Sequence, residues 1–503
     1  MVFSSIAFLF FFLPIALAIY FFPWNKWRNG TLLVLSLVFY AWGETEHLII
    51  LPISIFVNYL FGFGLSLTGR RFSEDGPSLS AMGAGVSGPG SSTARKLFLA
   101  GGIIFNVGLL IFYKYSNFLA ENVNALFRWL DLEPIAVSTI HAPLGISFFT
   151  FHALSYLIDI FRGNGTGLRN PLDLAVYISF FPKILAGPII QYHDARKDLR
   201  GRSVTAENFL HGIERFILGL GKKVLIANPL AAVADEIFAI PGGDLTFSVA
   251  WLGILCFTLQ IFFDFAGYSD MAIGLARMLG FRLPENFNHP YVSQSVQDFW
   301  RRWHISLSRW LRDYLYIPLG GNRCPIRRQY VNLVTVFLVC GFWHGASWNF
   351  VVWGMWYGLF LVLERAGFAA RLSSARRPWR HLYTLFVVVI GWVFFRSETL
   401  ALALVYLKTM AGLGSGAGAL YSLEMFLNNE VVLCFLLGVL FSLPSGTWSE
   451  AALRLFPSLE ESKPTALTLG LSSVYVALLG LLFLLSCMSL AGGTHKAFIY
   501  FRF

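Results

Sequence analysis

The chain has 503 residues, 56% of them hydrophobic and 13% charged, and its formal net charge is +10. Charged residues supply about a quarter of an ordinary soluble domain, so this composition excludes a soluble protein of this size. Basic loops at the cytoplasmic face of a membrane account for the positive charge better than nucleic-acid binding does.

The apolar runs are continuous, and several reach about twenty residues, which is enough to cross a bilayer as α-helices. They predict an all-α polytopic membrane protein with roughly 10 to 13 transmembrane or re-entrant helices. Residues 1–503 are expected to form a single membrane domain. In chain order, the predicted spans are Ser4–Phe22, Thr31–Trp42, Leu48–Leu65, Leu97–Tyr115, Leu144–Phe161, Leu174–Ile190, Phe209–Ile226, Val249–Phe265, Tyr330–Phe342, Trp348–Leu363, Leu382–Phe395, Val431–Leu443 and Leu467–Leu490.

Two segments have an irregular composition. Residues 73–93 are rich in Gly, Ser and Pro, which predicts a flexible cytoplasmic loop. The run Leu174–Ile190 contains Pro182, Gly187 and Pro188. Because lipid does not tolerate unpaired backbone groups, these residues predict a broken or re-entrant helix that lines a protein cavity.

The segment Asp264-Phe-Ala-Gly-Tyr-Ser-Asp270 lies where one predicted span ends. Its two carboxylates, Asp264 and Asp270, are equally consistent with capping of a helix end and with a place in a functional site. We therefore keep both, together with Tyr268 between them, as candidate site residues.

Residues 298–323 predict a basic amphipathic helix followed by a loop, of the kind that lies at a membrane surface. At about 100° per residue, His304 falls on the apolar face and points into the protein. Asp298, Trp303 and Asp313 are further candidates from the same segment. The opposite face carries four arginines that could meet lipid phosphates or gather an anionic ligand; they are Arg301, Arg302, Arg309 and Arg312.

A second histidine, His344, lies in an apolar run of aromatic and small residues. Gly341 and Gly345 have the spacing that lets another helix approach closely. Trp348 lies one turn on, so its ring could stack beside the imidazole, and Trp343 is a further candidate. A structural histidine would donate to a neighbouring helix carbonyl. Function is the favoured interpretation, because ionisable residues inside a membrane are costly and mark sites or pathways.

Several common catalytic patterns are absent from the sequence. No G-x-S-x-G, H-E-x-x-H or G-x-x-x-x-G-K-[ST] pattern occurs, which argues against a hydrolase, a metalloprotease or an ATPase. The five cysteines lie far apart without a C-x-x-C pair, so no metal site is expected. A histidine can act as a general base toward a hydroxyl. Acyl transfer from a thioester needs little beyond such a base, namely oxyanion donors and a dry channel.

Four long motifs resemble a known family. Together they are similar to the membrane-bound O-acyltransferase family, and within it to the bacterial alginate O-acetyltransferase branch. The motifs are Asn286-Phe-Asn-His-Pro-Tyr291, Asp298-Phe-Trp-Arg-Arg-Trp-His-Ile-Ser-Leu-Ser308, Trp310-Leu-Arg-Asp-Tyr-Leu-Tyr-Ile-Pro-Leu-Gly-Gly-Asn-Arg323 and Gly341-Phe-Trp-His-Gly-Ala-Ser-Trp348. Shorter matches are Pro143–Phe151, Gly221–Asn228, Asp264–Asp270 and the terminal Phe498–Phe503.

The resemblance implies an all-helical funnel through a bacterial inner membrane, with catalytic histidines at His304 and His344. It implies an acyl donor that enters from the cytoplasm, with residues 298–323 at the cytoplasmic mouth. Acetyl-CoA is the expected donor, Arg301, Arg302, Arg309 and Arg312 are expected to bind it, and no tightly bound cofactor is expected. The acetyl group would pass outward to periplasmic or membrane-anchored acetyltransferase and polysaccharide-synthesis proteins, which decorate a polymer such as alginate. Membrane lipids are the remaining expected partners, and no nucleic acid is expected.

Two alternatives stay open at this point. A sister branch of the family transfers D-alanyl groups to teichoic acid with similar chemistry. A transporter or export channel without catalysis would also suit broken helices and intramembrane histidines. The residues decide neither the acceptor polymer nor which histidine is the base.

Overall fold

A computed structural model describes residues 2–22, 27–68, 93–414, 416, 420–444 and 466–493. Within these ranges the chain is largely helical, and no residue lies in a β-strand. The all-α prediction is therefore confirmed. The predicted loop at residues 73–93, apart from Thr93, and the terminal motif Phe498–Phe503 lie outside the described residues.

The helices fall into two compact units, and the first comprises Phe10–Phe209 and Ala276–Pro284. Within it, α3 packs against α4, α6 and α7, while α2 packs against α7. A π-helical turn at Ile111–Tyr115 joins α4 to α5. The helices of this unit are α1 Leu13–Phe21, α2 Arg28–Gly43, α3 Ile50–Thr68, α4 Thr93–Leu110, α5 Ser116–Trp129, α6 Ile146–Arg162, α7 Pro171–Ser179 and α8 Tyr192–Gly201.

A reciprocal amide pair and small residues join α3 to its neighbours. Asn58 Nδ2 donates to Asn106 Oδ1 over 3.1 Å, and Asn106 Nδ2 donates back to Asn58 Oδ1 over 2.7 Å. Both side chains are fully buried, so the pair satisfies polar groups that lipid could not. At Gly62, a Cβ atom would overlap the ring of Tyr156 on α6, which explains the small residue at this helix crossing.

The predicted break in Leu174–Ile190 is confirmed. Helix α7 ends at Ser179, and residues 180–191 run through the buried interior without helical structure. Neighbouring side chains satisfy part of the freed backbone: Tyr177 Oη donates to the Ile190 carbonyl over 3.0 Å, and the Phe181 amide donates to Ser36 Oγ over 3.1 Å.

The second unit comprises Val2–Leu9, Leu210–Leu275 and Glu285–Phe503. Helix α14 packs extensively against α15, and α17 packs against α12, α15 and α18. With their full bounds, its helices are α9 Ala206–Gly221, α10 Asn228–Phe238, α11 Phe247–Met278, α12 Val296–Arg302, α13 Ile305–Leu311, α14 Ile326–His344, α15 Trp348–Leu363, α16 Ala369–Ser374, α17 Arg377–Arg396, α18 Leu400–Met410, α19 Asn429–Ser442 and α20 Ala466–Ala491.

Among the described residues, six helical stretches are long and apolar enough to cross a membrane, fewer than the predicted number. The predicted spans Thr31–Trp42 and Val431–Leu443 lie in helices of 16 and 14 residues. Such helices are about 24 and 21 Å long, shorter than a hydrocarbon core of about 30 Å. The six stretches are Ile50–Thr68, Thr93–Trp129, Ala206–Phe238, Phe247–Met278, Arg377–Arg396 and Gly470–Ala491.

Candidate active site

The segment around His304 is not one amphipathic helix, so that prediction is wrong. It forms two short helices, α12 and α13, which are separated at Trp303 and His304. His304 has φ +46° and ψ +52°, a left-handed conformation that is uncommon outside glycine. Such a residue persists only where the surrounding structure holds it in place. His304 is fully buried, which agrees with the prediction that it points into the protein.

The loop that precedes α12 holds the backbone on both sides of this break. The Ile305 amide donates to the Asn286 carbonyl, and the Asn288 amide donates to the Arg302 carbonyl, each over 2.9 Å. The Ser308 amide in turn donates to the His304 carbonyl over 3.0 Å. The break is therefore fixed by contacts with residues far from it in the sequence.

The same asparagine also contacts the imidazole. Asn286 Oδ1 lies 3.1 Å from His304 Nδ1 and accepts from Ser306 Oγ over 2.9 Å. Asn286 Nδ2 donates to Ser269 Oγ on α11 over 3.0 Å. The ring of Phe265 meets the imidazole edge to face at 4.7 Å. Asn286 begins one of the four motifs, but no local pattern marks it as a site residue.

Helix α12 is held at its N-terminus by Glu364, which no sequence pattern identifies as a site residue. The Glu364 carboxylate accepts from the Val296 amide over 2.7 Å and from the Gln297 amide over 3.0 Å. It also accepts from Tyr383 Oη over 3.1 Å. Carboxylates are favourable at helix N-termini because of the unpaired amides and the helix dipole. Glu364 thus ties the start of α12 to the end of α15.

His344 is the last residue of α14 and is 6% exposed. Its imidazole lies among aromatic rings, with centroids 5.0 Å from Trp353 and 5.2 Å from Phe395. A Cβ atom at Gly341 would overlap the Phe350 carbonyl. This confirms the prediction that a helix approaches closely at this glycine. Trp348 begins α15 and is 55% exposed.

The ring of Trp343 lies close to both histidine rings. Its ring centroid lies 6.1 Å from that of His304 and 4.8 Å from that of His344. Trp303 is also buried, and its ring lies 4.9 Å from Trp392 and 5.0 Å from Phe287. The structure therefore brings both predicted histidines into one aromatic, buried region.

Asp264 and Asp270 do not cap a helix end, so that interpretation is wrong. Helix α11 continues to Met278 and contains both residues. Asp264 forms an ion pair with Lys223 at 2.7 Å, and both side chains are buried. Asp270 pairs with Arg215 at 2.7 Å and with Lys222 at 2.6 Å. These ion pairs neutralise the carboxylates, which explains how α11 stays helical through them.

Tyr268 lies on the same helix and is 3% exposed. Its ring stacks on Phe3 at 4.7 Å. This contact accounts for its burial by packing against the N-terminal segment, so Tyr268 has a structural explanation that the sequence did not suggest.

A sequence profile of the membrane-bound O-acyltransferase (MBOAT) family matches residues 166–405. A protein of Azotobacter vinelandii named "Probable alginate O-acetylase AlgI" is 42% identical over 403 residues, which cover 80% of this chain and 76% of that protein. A Pseudomonas putida protein of the same name is 37% identical over 507 residues, and the match spans both proteins entirely.

The chain belongs to the membrane-bound O-acyltransferase family. It is therefore a membrane-spanning acyltransferase, and the range that matches the family contains both His304 and His344. A Helicobacter pylori protein named "Peptidoglycan O-acetyltransferase" is also similar, with 36% identity over 452 residues that cover 82% of this chain and 80% of that protein.

The arginines of this acyltransferase differ in their surroundings. Arg302 pairs with Asp298 at 2.9 Å. Asp313 lies 2.7 Å from Arg312 and 3.8 Å from Arg309. The Arg312 side chain is still 60% exposed, and Arg301 is also exposed. Asp298 and Asp313 thus orient neighbouring arginines, and Arg301 and Arg312 present the most accessible charge.

Proposed function

We propose that this acyltransferase moves an acetyl group from cytoplasmic acetyl-CoA across the bacterial inner membrane, for O-acetylation of an exopolysaccharide such as alginate. The supporting observation is the burial of His304 and His344 around Trp343. The choice of acetyl follows the three relatives, because the matches cover about four fifths of this chain or more and all three names specify O-acetyl chemistry.

The reaction class requires little machinery beyond this region. A histidine accepts the proton of the acceptor hydroxyl as its oxygen attacks the thioester carbonyl. The tetrahedral intermediate collapses, the carbon–sulfur bond breaks, and the CoA sulfur leaves as a thiolate that takes up a proton. The aromatic rings around His344 keep water away from the thioester, which would otherwise be hydrolysed. His304 and His344 are the catalytic residues in this proposal.

The donor carries phosphates, and we assign their recognition to Arg301, Arg302, Arg309 and Arg312. Guanidinium groups bind phosphate through paired hydrogen bonds and charge. Arg301 and Arg312 are exposed, so they can meet a ligand from the aqueous side. The acetyl group then passes to periplasmic or membrane-anchored acetyltransferase and polysaccharide-synthesis proteins. Membrane lipids surround the exposed apolar faces of the spans.

A first experiment tests the cargo. Acetyl ester and D-alanyl ester are measured on the surface polymers of the wild-type host, of a deletion strain and of the complemented strain. Loss of acetyl ester alone in the deletion, with recovery on complementation, supports the proposal. Loss of D-alanyl ester in the deletion strain would instead support D-alanyl transfer to teichoic acid. Unchanged amounts of both esters would contradict acetyl transfer and D-alanyl transfer alike.

A second experiment tests the donor site. In membranes that contain Arg301→Gln or Arg312→Gln protein, the KM for acetyl-CoA should rise a few-fold, since one exposed charge contributes about 1 kcal/mol or less. The difference from wild type should shrink at high salt. Arg128→Gln is the matched control, because Arg128 is an exposed arginine on α5. KM values equal to that of wild type in all variants would show that Arg301 and Arg312 do not contribute to donor binding.

A further inference from the structure

We infer that Asn286 is a positioning residue: it holds His304 in the tautomer with hydrogen on Nδ1, so that Nε2 offers a lone pair to the reacting hydroxyl. The inference rests on the proposed function for the role of Nε2. Hydrogen-bond geometry places the hydrogen on Nδ1, and complete burial of His304 favours the neutral ring.

The orientation of the Asn286 amide follows from its partner at residue 306. The backbone amide of Ser306 can only donate, and it lies 3.3 Å from Asn286 Oδ1. That atom must therefore be the carbonyl oxygen. The hydroxyl of Ser269 can accept as well as donate, so it suits the Asn286 Nδ2 group that lies 3.0 Å away.

The orientation of the amide decides the protonation of the imidazole. Since Asn286 Oδ1 is an acceptor, His304 Nδ1 at 3.1 Å must carry a hydrogen and donate it. A neutral imidazole has one N–H group, which leaves the lone pair on Nε2. Asn286 is 1% exposed, so water competes little for its oxygen.

His304 lies between α11 and α14, outside the six candidate spans. Desolvation by complete burial lowers the pKa of His304 to about 3, so the imidazole is neutral at physiological pH. A ring with so low a pKa is a weak base but still a hydrogen-bond acceptor. Its Nε2 atom therefore orients the hydroxyl of the acetyl acceptor, and orientation alone can remove a large part of a reaction barrier.

Asn286 also holds the left-handed backbone conformation of His304. At φ +46° His304 lies between two helices, and the Asn286 carbonyl receives the next amide, Ile305. One asparagine thus fixes the backbone just after the histidine and the side chain of the histidine itself. Because Asn286 makes both contacts, the imidazole of His304 keeps one orientation although the backbone of this residue is strained.

Kinetics of Asn286→Asp and Asn286→Leu proteins test the inference. Asp keeps the acceptor and adds a charge that favours the imidazolium. The acid limb of its kcat/KM profile should therefore move up by at least about 1 pH unit. Leu removes the acceptor, and kcat should fall on the order of 100-fold or more with little change in the KM for acetyl-CoA. Asn288→Asp is the matched control, because it adds the same charge at an exposed position of the same loop.

A purely structural Asn286 would leave the Asn286→Asp profile superimposed on that of wild type. The same shift in Asn288→Asp would show that any added negative charge in this loop produces the effect, without contact with the imidazole. Either outcome would overturn the inference, whatever the Leu variant does. A shift confined to Asn286→Asp supports it.

A measurement independent of activity separates this inference from the proposed function. Nitrogen NMR of protein with ¹⁵N-labelled histidine distinguishes Nδ1–H from Nε2–H rings, and the His304 signals are assigned by their loss in His304→Gln. We expect Nδ1–H in wild type and a loss of this preference in Asn286→Leu. An Nε2–H ring in wild type contradicts the inference even if acetyl transfer is demonstrated. An Nδ1–H ring without acetyl transfer would leave the tautomer established and the function wrong.

Discussion

Two buried breaks in helical structure, one in each unit, have different origins. Residues 180–191 of the first unit contain Pro182, Gly187 and Pro188, which cannot easily continue a helix. The break at Trp303 and His304 contains neither proline nor glycine, and it places a histidine in a left-handed conformation. The first break is encoded locally, whereas the second is imposed by tertiary contacts.

This difference distinguishes a structural interruption from a candidate active site. Strain that the local sequence does not require is typical of functional positions, where the surrounding structure maintains it. At His304 that structure consists of Asn286, and of Glu364 through the N-terminus of α12.

The largest effect is expected for the histidines themselves. His304→Ala and His344→Ala should each lower acetyl transfer on the order of 100-fold or more, as for loss of a group that accepts a proton or orients the reacting hydroxyl. Initial rates in membranes with matched protein levels measure this. His211→Ala is the control, since His211 is exposed and pairs with Glu214. Full activity of both active-site variants would exclude the proposed chemistry.

A smaller effect is expected for Glu364→Ala. It leaves the amides of Val296 and Gln297 without their acceptor. The cost is about 1–3 kcal/mol for the buried Val296 amide and less for that of the exposed Gln297. Both thermal stability and kcat should fall, because α12 leads directly into Trp303 and His304. Glu364→Gln keeps an acceptor oxygen and should recover part of both. A normal kcat in a clearly destabilised Glu364→Ala protein would show that Glu364 supports the stability of the fold but not the geometry of the active site.

Tyr177→Phe should affect the first break only. It removes the hydroxyl that donates to the Ile190 carbonyl, which should lower stability by about 1 kcal/mol. Since this break carries no proposed chemistry, kcat measured below the unfolding transition should stay at the wild-type value. A marked drop in kcat without loss of stability would give the first break a functional role and would weaken the contrast.

The smallest expected effect tests the left-handed backbone directly. His304→Gly and His304→Ala both lack the imidazole, but glycine adopts positive φ without steric cost. The Gly variant should therefore be more stable than the Ala variant by about 1 kcal/mol. Thermal unfolding in detergent measures the difference. At a helical position the order would be the reverse, so a more stable Ala variant would show that His304 is not held in this conformation.

The sequence predicted those features that local patterns determine. Apolar runs identified the helical membrane class, and Pro182 and Pro188 identified the first break. The helical periodicity of residues 298–316, in contrast, gave no sign of the break at His304. Asn286 precedes that histidine by 18 residues, and Glu364 follows Val296 by 68 residues. No local pattern contains such contacts.

The end of α11 was mispredicted for a related reason. Two carboxylates in an apolar run were as consistent with a helix end as with a functional site, because an isolated charge is costly in a membrane. The charges that compensate them, on Lys223, Lys222 and Arg215, lie more than 40 residues earlier in the chain. The sequence of α11 alone does not show which residues elsewhere in the chain neutralise its two carboxylates.

The buried pair between Lys223 and Asp264 has a consequence for how the protein enters the membrane. Either charge near the centre of a lone inserting helix would cost about 2.5–3.5 kcal/mol. The two groups lie 2.7 Å apart in the folded protein, so they would form a nearly neutral pair if their helices inserted together. Biogenesis therefore favours joint insertion of Ala206–Phe238 and α11 as a helical hairpin over their release into lipid one after the other.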